Sequence, residues 1–554
     1  MSNYPVRLQN LCKSFGEGPS QRAKQYLANC HNMRLCGRVR RFVPEKMRNA
    51  DDPYFAEYIR EIYGKAPSKL FHNYRLAQPN AAAGYMSLKK YDKIQPTIRK
   101  DFWDLTLTWA EKHFGAMRDS DIWEDHEDVV AEINKVASAG YPWTQFDGMK
   151  SKKDFFEWGG SKDHCLKYWM DLREEVCRAV PWTNNVKEEL RKIDKIIKNL
   201  LRTFVGAPVE VVYAGTKLFG DQNEKFYNSA GEHWSFVGAT KFRLGWNKLF
   251  KRLNKHPNAF ELDESEYDSS LFREAMLGMA EFRFRMLKPK FQTPENWNRI
   301  QNLYKEIVDT VIITTDGDVV TKNTGNPSGS PNTIVDNTVI LFRLKAYAWL
   351  LLMEENEEET SYEEFMDEVE AALTGDDNTF TVSDKAVSIY NATNIARVWT
   401  GIGVTTKTDS YAPRKLEECS FLSTSFRKVK NLVVPMPEGD KVMCSMAFHN
   451  NQPDNVRWSL LRACALRIES FFDDECRALL QSYITWLTRK YYTELHAPRD
   501  VNNPNDMFTF NEVYSVYKTD SELRQLFLAE EGQSPVPDFN FEMYEIGLQI
   551  VTLV

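Results

Sequence analysis

The chain has 554 residues, too many for one ordinary core, so two or three packed subdomains around a cleft are expected. Hydrophobic residues at 42%, aromatics at 13% and charged residues at 27% exclude a mostly disordered, collagen-like or disulfide-scaffold chain. The net charge of −7 removes the simplest argument for nucleic-acid binding, although a cleft can be locally basic in an acidic protein. No stretch approaches the ~20 apolar residues that cross a bilayer, the longest tight cluster being Tyr347 to Met353, and Met1 to Pro5 lack a signal-peptide core. The nine cysteines (Cys12, Cys30, Cys36, Cys165, Cys177, Cys419, Cys444, Cys464 and Cys476) form no Cys-x-x-Cys pair, the pattern of thiols in a reducing cytosol. Cys30, His31 and Cys36 hint at a zinc corner, but no second pair at finger spacing follows.

In chain order, the first hundred residues read as irregular outer structure, with basic runs at Arg38 to Arg41 and Lys89 to Lys93 and turn residues at Gln78 to Ala81. From Gln95 to about Leu200 the apolar spacing is mostly helical, as in Phe102, Leu105, Leu107 and Trp109, interrupted by a loop at Ala137 to Trp143. Lys187 to Arg202 reads as a basic helix with six basic and three acidic residues. Thr203 to Tyr213 follows as an extended block, on the strand propensity of Val205, Val209, Val211, Val212 and Tyr213.

Ala259 to Leu262 predicts a short buried strand ending in carboxylates, and Val311 to Lys322 a hairpin turning at Asp316 and Gly317. A helix is expected from near Pro331 to Met353, then a solvated acidic stretch from Glu354 to Glu370. Ala371 to Leu373 and Thr379 to Val382 predict two strands around a tight turn tipped by Asp376 and Asp377. Beyond Pro437 the chain reads as largely helical, from Trp458 through Leu495.

Four segments carry chemistry in combination. The strand at 261–268 delivers Asp263 to its end and Asp268 five residues later. The adjacent Asp376 and Asp377 have no Lys or Arg neighbour in sequence, so a divalent cation is the economical remedy for their repulsion. Mg²⁺ takes one or two carboxylates with phosphates and water, which suits two neighbouring strands meeting at one edge. The loop at 325–337 places Thr333 and Asn337 four apart on one helical face, with Ser328 beside them. Lys187, Arg191 and Arg202 supply a local positive surplus.

In this order the segments resemble, over residues 137–427, the motifs of RNA-dependent RNA polymerases of positive-strand RNA viruses in the picornavirus-like group. Ser138, Ala139, Gly140, Tyr141 and Pro142 look like that family's template-entrance loop, Lys187 to Arg202 like its basic fingers motif, and Asp263 and Asp268 like motif A. Ser328, Gly329, Thr333 and Asn337 look like motif B, and Gly375, Asp376 and Asp377, 48 residues beyond Ser328, like motif C. Gly401 to Lys407 resembles motif D, with Lys407 as its lysine and Lys415 in reserve, and Cys419 to Phe426 resembles motif E, including Phe421, Leu422 and Ser423 at the primer. Two departures stand out: Thr374 occupies the place where many relatives carry Tyr, and Gly325 to Gly329 looks nearer to astrovirus- or potyvirus-like enzymes.

The resemblance implies an α+β right-hand fold: an N-terminal extension and fingers over 1–255, palm over 256–275, fingers over 276–324, palm over 325–430 and a helical thumb over 431–554. It also implies two Mg²⁺ ions, with Mn²⁺ a substitute, on Asp263, Asp376 and Asp377. Lys187, Arg191 and Arg202 would meet the NTP triphosphate, Lys407 would protonate pyrophosphate, and Asp268, Ser328, Thr333 and Asn337 would select the ribose. Implied partners are the RNA template and nascent strand, a protein primer and other viral replication proteins. Those proteins would tether the chain to membrane-associated complexes in the host cytoplasm. A reverse transcriptase-like polymerase and a catalytically inactive RNA-binding replication protein are the competing classes.

Overall fold

The structure, a computed structural model, describes residues 18–39, 49–174, 181–450, 455–503, 506–530 and 539–549. Cys12, Cys177, Arg40 and Arg41 lie outside the described residues. The seven described cysteines are free thiols, and among the described residues no helix is long and apolar enough to cross a membrane.

The strand Asn258–Ser265 is central to a four-stranded antiparallel sheet, between the hairpin Val369–Thr374/Asp377–Val382 and the short strand Thr405–Lys407. Phe260 and Leu262 on the central strand are buried, with Phe260 stacked on Phe380 of the hairpin at 5.3 Å. A second sheet of five strands joins the 311–322 hairpin to Met33–Arg38, Pro181–Val186 and Thr203–Gly206. A third, three-stranded sheet spans Ser420 to Pro437.

The helix Thr333–Glu355 runs through the largest core and is buried almost all round, so its polar residues Asp336, Asn337, Arg343 and Lys345 are inside the protein. Asp336, Asn337 and Arg343 are bonded outwards to other elements, and Lys345 lies against the Phe380 ring. Asp336 Oδ1 accepts from Arg283 Nε at 3.0 Å and Nη2 at 2.7 Å, and its Oδ2 accepts from Tyr304 at 2.7 Å. Arg343 donates to Thr106 Oγ1 at 3.1 Å and to the Trp103 carbonyl at 2.8 Å.

Three segments fold differently from their sequence reading. The extended block stops at Gly206, and the helix Val209–Asn228 begins after Pro208. The valines turn inward at helical spacing with Ala214 and Leu218, and burial outweighs their strand preference. The basic segment is no helix over most of its length: Leu190–Lys192 is a strand paired with Tyr74–Leu76, followed by the short helix Ile193–Ile197. Its partner lies more than a hundred residues upstream, which local spacing cannot report.

The first hundred residues are not irregular outer structure. Helix Pro53–Tyr63 packs into the C-terminal helices, with Phe55 at 0% and Tyr58 at 1% exposure. Phe55 meets Tyr483 edge-on at 5.0 Å, and Tyr58 donates to Ser482 at 2.8 Å. Residues 53–76 thus span from the C-terminal helices to the basic segment. The acidic stretch agrees with its reading in part: residues 357–359 are exposed, whereas Glu370 is partly buried beside Arg252 at 3.3 Å.

Asp336→Ala strips Arg283 of the carboxylate that compensates its buried charge. A loss of about 3–5 kcal/mol is expected, read as a lower urea midpoint, and Asp336→Asn should recover part of it.

Candidate active site

The central strand sets the site. Asp263 lies in register with Asp377 on one neighbouring strand and with Lys407 on the other. Strand pairing therefore puts an acid and a base side by side with Asp263, through backbone geometry alone. Thr374 pairs with Asp377, leaving Gly375 and Asp376 as a two-residue turn. Gly375 has φ +61°, which glycine adopts without strain, and its N–H donates to Thr338 Oγ1 of the long helix at 2.9 Å. The exposed Asp376 is thereby held at the tip.

These carboxylates repel one another. Burial and then the Asp376 charge raise Asp263, with Lys407 and Arg202 opposing. Burial and Asp376 push Asp377 up to about 7, relieved by the Leu422 N–H, which donates to Asp377 Oδ2 at 2.9 Å. Burial and Asp376 push Asp268 up to about 6, relieved by its hydrogen bond from Asn337 and by Arg202 and Lys187.

The motif D and E candidates adjoin this cluster. Lys415 precedes the short turn Leu416–Glu418, whereas Lys407 is the lysine in register with Asp263. Phe421 is buried, and Leu422 and Ser423 form a two-residue turn between Ser420–Phe421 and Thr424–Val429. Both turn residues have left-handed φ, +52° and +55°, a costly geometry for non-glycine residues that aims the Leu422 N–H at Asp377.

Asp268 and Asn337 meet directly: Asn337 Nδ2 donates to Asp268 Oδ1 at 2.6 Å. Thr333 spends its hydroxyl elsewhere, on the carbonyls of Pro327 at 3.1 Å and Ser330 at 2.9 Å, and so fastens the loop that carries the half-exposed Ser328. Lys187 faces the charges of Asp268 and Asp376, and burial together with Arg202 lowers it. Arg202 reaches towards Asp263 and Asp268 while lying 3.6 Å from Glu189. Arg191 sits 4.0 Å from Glu189 and donates to the Leu200 carbonyl at 3.1 Å.

Ser138 to Pro142 stand against the start of the helix Val209–Asn228. The Ala139 carbonyl accepts from Val209 at 3.2 Å, and a Cβ on Gly140 (φ +80°) would come within 2.9 Å of Pro208. Gly329 donates to the Val205 carbonyl at 3.1 Å, so the 138–142 and 325–330 loops both bear on residues 205–209.

Sequence reasoning missed three groups. Lys90 and Lys93 flank Glu266 at 3.8 and 3.0 Å, and Lys90 senses the charges of Arg191 and Lys407. The signal was the basic run at 89–93, set aside because the segment looked peripheral. Asn326 is fully buried and donates to Asn337 Oδ1 at 2.9 Å. Glu264, Asn378 and Lys345 lie buried behind the carboxylates, where Asn378 Nδ2 donates to Glu264 at 2.9 and 3.1 Å and Lys345 Nζ sits 3.7 Å from the Phe380 ring centre. No sequence pattern signalled this last group.

The donor set fits a divalent cation. Among the described residues, neither Asp263 nor Asp376 has a side-chain hydrogen bond or ion pair, so the repulsion around them is left for a cation to offset. Among the described residues no three His, Cys, Asp or Glu side chains enclose a metal alone.

A family model described as viral RNA-dependent RNA polymerase matches residues 85–491. The chain is similar to the genome polyprotein of soybean mosaic virus (strain N), 26% identical over 474 residues, covering 83% of this chain and 15% of that protein. It is similar to the genome polyprotein of ryegrass mosaic virus (isolate Denmark/Danish), 28% identical over 469 residues, covering 81% and 14%. To that of plum pox potyvirus (isolate NAT) it is 28% identical over 379 residues, covering 66% and 11%. The chain thus spans only a small part, 11–15%, of these curated relatives. Among solved structures, the Sicinivirus 3Dpol RNA dependent RNA polymerase matches with a TM-score of 0.63 at 14% identity, covering 82% of this chain and 93% of that one. The fold is accordingly the α+β right hand.

Asp377 and Asp268 bind protons more tightly folded than at the ~3.9 of a free aspartate, so their contribution to stability declines as pH rises from ~4 towards ~7. A divalent cation such as Mg²⁺, if held by these carboxylates, would compete with protons for the ionised forms. It should raise the thermal unfolding midpoint near pH ~8 and have little effect near pH ~5, and Asp376→Asn should reduce the gain at pH ~8. An equal Mg²⁺ effect at both pH values would contradict the assignment.

Proposed function

Because the chain belongs to the viral RNA-dependent RNA polymerase family, we propose that it synthesises RNA from NTPs on an RNA template, replicating a viral genome by two-metal in-line nucleotidyl transfer that releases pyrophosphate. The observation that carries this reading is the register of the central strand, with Asp377 and Lys407 on either side of Asp263 and Asp376 at the adjoining turn. Two Mg²⁺ ions, when bound by Asp263 and Asp376 with Asp377 assisting, would supply activation of the primer 3′-hydroxyl and neutralisation of phosphate charge.

The chain's own residues account for the rest. Lys187 and Arg202, already facing the carboxylates, balance the incoming triphosphate, Arg202 with a fork suited to phosphate. Arg191 and Lys90 extend that positive rim. Lys407 donates a proton to the departing pyrophosphate. Asp268 and Asn337 meet the 2′-hydroxyl, a donor and acceptor at once, with Ser328 presented from the adjoining loop and Thr333 holding that loop closed. The polar Asp268–Asn337 pair favours ribose and so disfavours the reverse transcriptase reading. Asp263 and Asp376, which among the described residues make no side-chain hydrogen bond or ion pair, disfavour an inactive RNA-binding protein.

Template RNA would approach past Ser138 to Pro142, and Phe421, Leu422 and Ser423 would face the primer strand. We assign the fingers to 1–255 and 276–324, the palm to 256–275 and 325–430, and the thumb to 431–554. A protein primer and other viral proteins are the proposed partners, and those proteins would hold the chain in membrane-associated complexes of the host cytoplasm.

Extension of a primed RNA template with Mg²⁺ tests the reading. The wild type should extend with NTPs while Asp376→Asn does not, and equal activity of the two would overturn the metal assignment. Lys407→Leu should lower kcat by about 10²-fold or more with little change in KM, the scale of a lost general acid. Asn337→Ala should weaken NTP over dNTP discrimination by about 1–3 kcal/mol, the cost of a buried polar group left unpaired.

A further inference from the structure

Lys322 ends the strand Asp318–Lys322 and is 2% exposed. A buried ammonium is ordinarily matched by a carboxylate, yet among the described residues Lys322 forms no ion pair, and Asp309, the acid whose charge it senses, is bound by Arg273 at 2.6 Å. Instead its Nζ sits among four backbone carbonyls: Ile307 and Val308 at 3.0 Å each, Thr324 at 2.9 Å and Gly325 at 3.2 Å. The first two are the last residues of the helix Pro294–Val308, where the helix dipole is negative. The other two begin the 324–330 loop, and the Tyr91 ring closes the cage at 5.1 Å.

The far side of that loop leads to the ribose pair. Gly325 N–H donates to the Leu271 carbonyl at 2.9 Å, and Asn326 N–H donates to the Asp268 carbonyl at 2.7 Å. The peptide joining Gly325 to Asn326 is therefore gripped at its oxygen by Lys322 and at its nitrogen by Asp268, which fixes its plane. Gly325 has φ +76°, and a Cβ there would strike the Tyr91 ring at 2.7 Å and the Asp268 carbonyl at 2.8 Å, so the turn has no slack. From this peptide Asn326 donates to Asn337 Oδ1, leaving the Asn337 amide nitrogen to point at Asp268.

We propose that Lys322 is a positioning residue for sugar selection, an ammonium clamp that fixes the 325–326 peptide and, through Asn326, the amide orientation of Asn337. The inference rests on the reading of Asp268 and Asn337 as the ribose-sensing pair. A lysine retained only to satisfy these buried carbonyls would cost stability when replaced by an apolar side chain of similar length, but would leave the choice between NTP and dNTP unchanged.

The test measures kcat and KM for NTP and dNTP incorporation on a primed RNA template by Lys322→Met, Asn337→Ala and the double variant, with unfolding midpoints alongside. The expected result is a folded Lys322→Met that still extends with NTPs but discriminates against dNTPs about 3- to 10-fold less well, with no further loss in the double variant. An unchanged ratio in Lys322→Met beside a lowered ratio in Asn337→Ala overturns the role of Lys322 and leaves the ribose pair standing. An unchanged ratio in both overturns the ribose pair and this inference with it. Should methionine fail to fold, Lys322→Gln keeps two N–H donors in the cage and should give an intermediate ratio; failure of both to fold makes Lys322 a folding residue only and overturns the proposal.

Discussion

The helix Thr333–Glu355 has almost no solvent face, and the arrangement of the site follows from that constraint. Most of the polar side chains on it find a partner on another element, and those that do become fixed points between elements. Three consecutive residues, about 100° apart around the axis, reach four partners on different segments. Asp336 takes Arg283 and Tyr304, Asn337 takes Asp268, and Thr338 takes the Gly375 N–H. One turn of buried helix thus sets the spacing between Asp268, on the short helix Tyr267–Ser270 that follows the strand of Asp263, and the hairpin carrying Asp376 and Asp377. Lys345, two turns on, lies behind the same strands beside Glu264.

That scaffold is needed because the cluster it holds opposes itself. Burial and then Asp376 raise Asp263, Asp268 and Asp377, and only part of the strain is relieved within the protein: Lys407 acts on Asp263, Leu422 on Asp377, and Asn337 on Asp268. The surrounding cations come from distant stretches of chain, Lys90 from the first hundred residues, Lys187 and Arg202 from the basic segment, and Lys407 from the last strand of the palm-like sheet. An acidic centre with a basic rim is the charge distribution that polyphosphate and cations together would neutralise. It also explains how a chain of net charge −7 carries a locally basic approach.

Much of this was legible in sequence where the determinant is local. The strands around Asp263 and Asp376, the 311–322 hairpin and the helix after Pro331 all announce themselves by alternation, turn residues and a long apolar run. Residues 203–213 misled because a window ending at Tyr213 contains mainly strand formers, while the buried positions that make them helical continue to Leu218. The strand at Leu190 was invisible because its partner, Tyr74–Leu76, is remote. Lys90 and Asn326 failed to stand out for the same reason: their importance depends on Glu266 and Asn337, and nothing local to them names those partners.

The docking of helix Pro53–Tyr63 among the C-terminal helices has a consequence for how the chain acquires its shape. Phe55, Tyr58 and Ile59 share a core with Leu460, Tyr483 and Leu526, so the helix lacks this apolar shelter until those later residues have emerged. Its burial closes a loop of some four hundred residues, a slow event of high contact order. During synthesis the aromatic face of that helix is open to chaperones or to premature association until the later helices fold against it, so its docking is a late step of assembly.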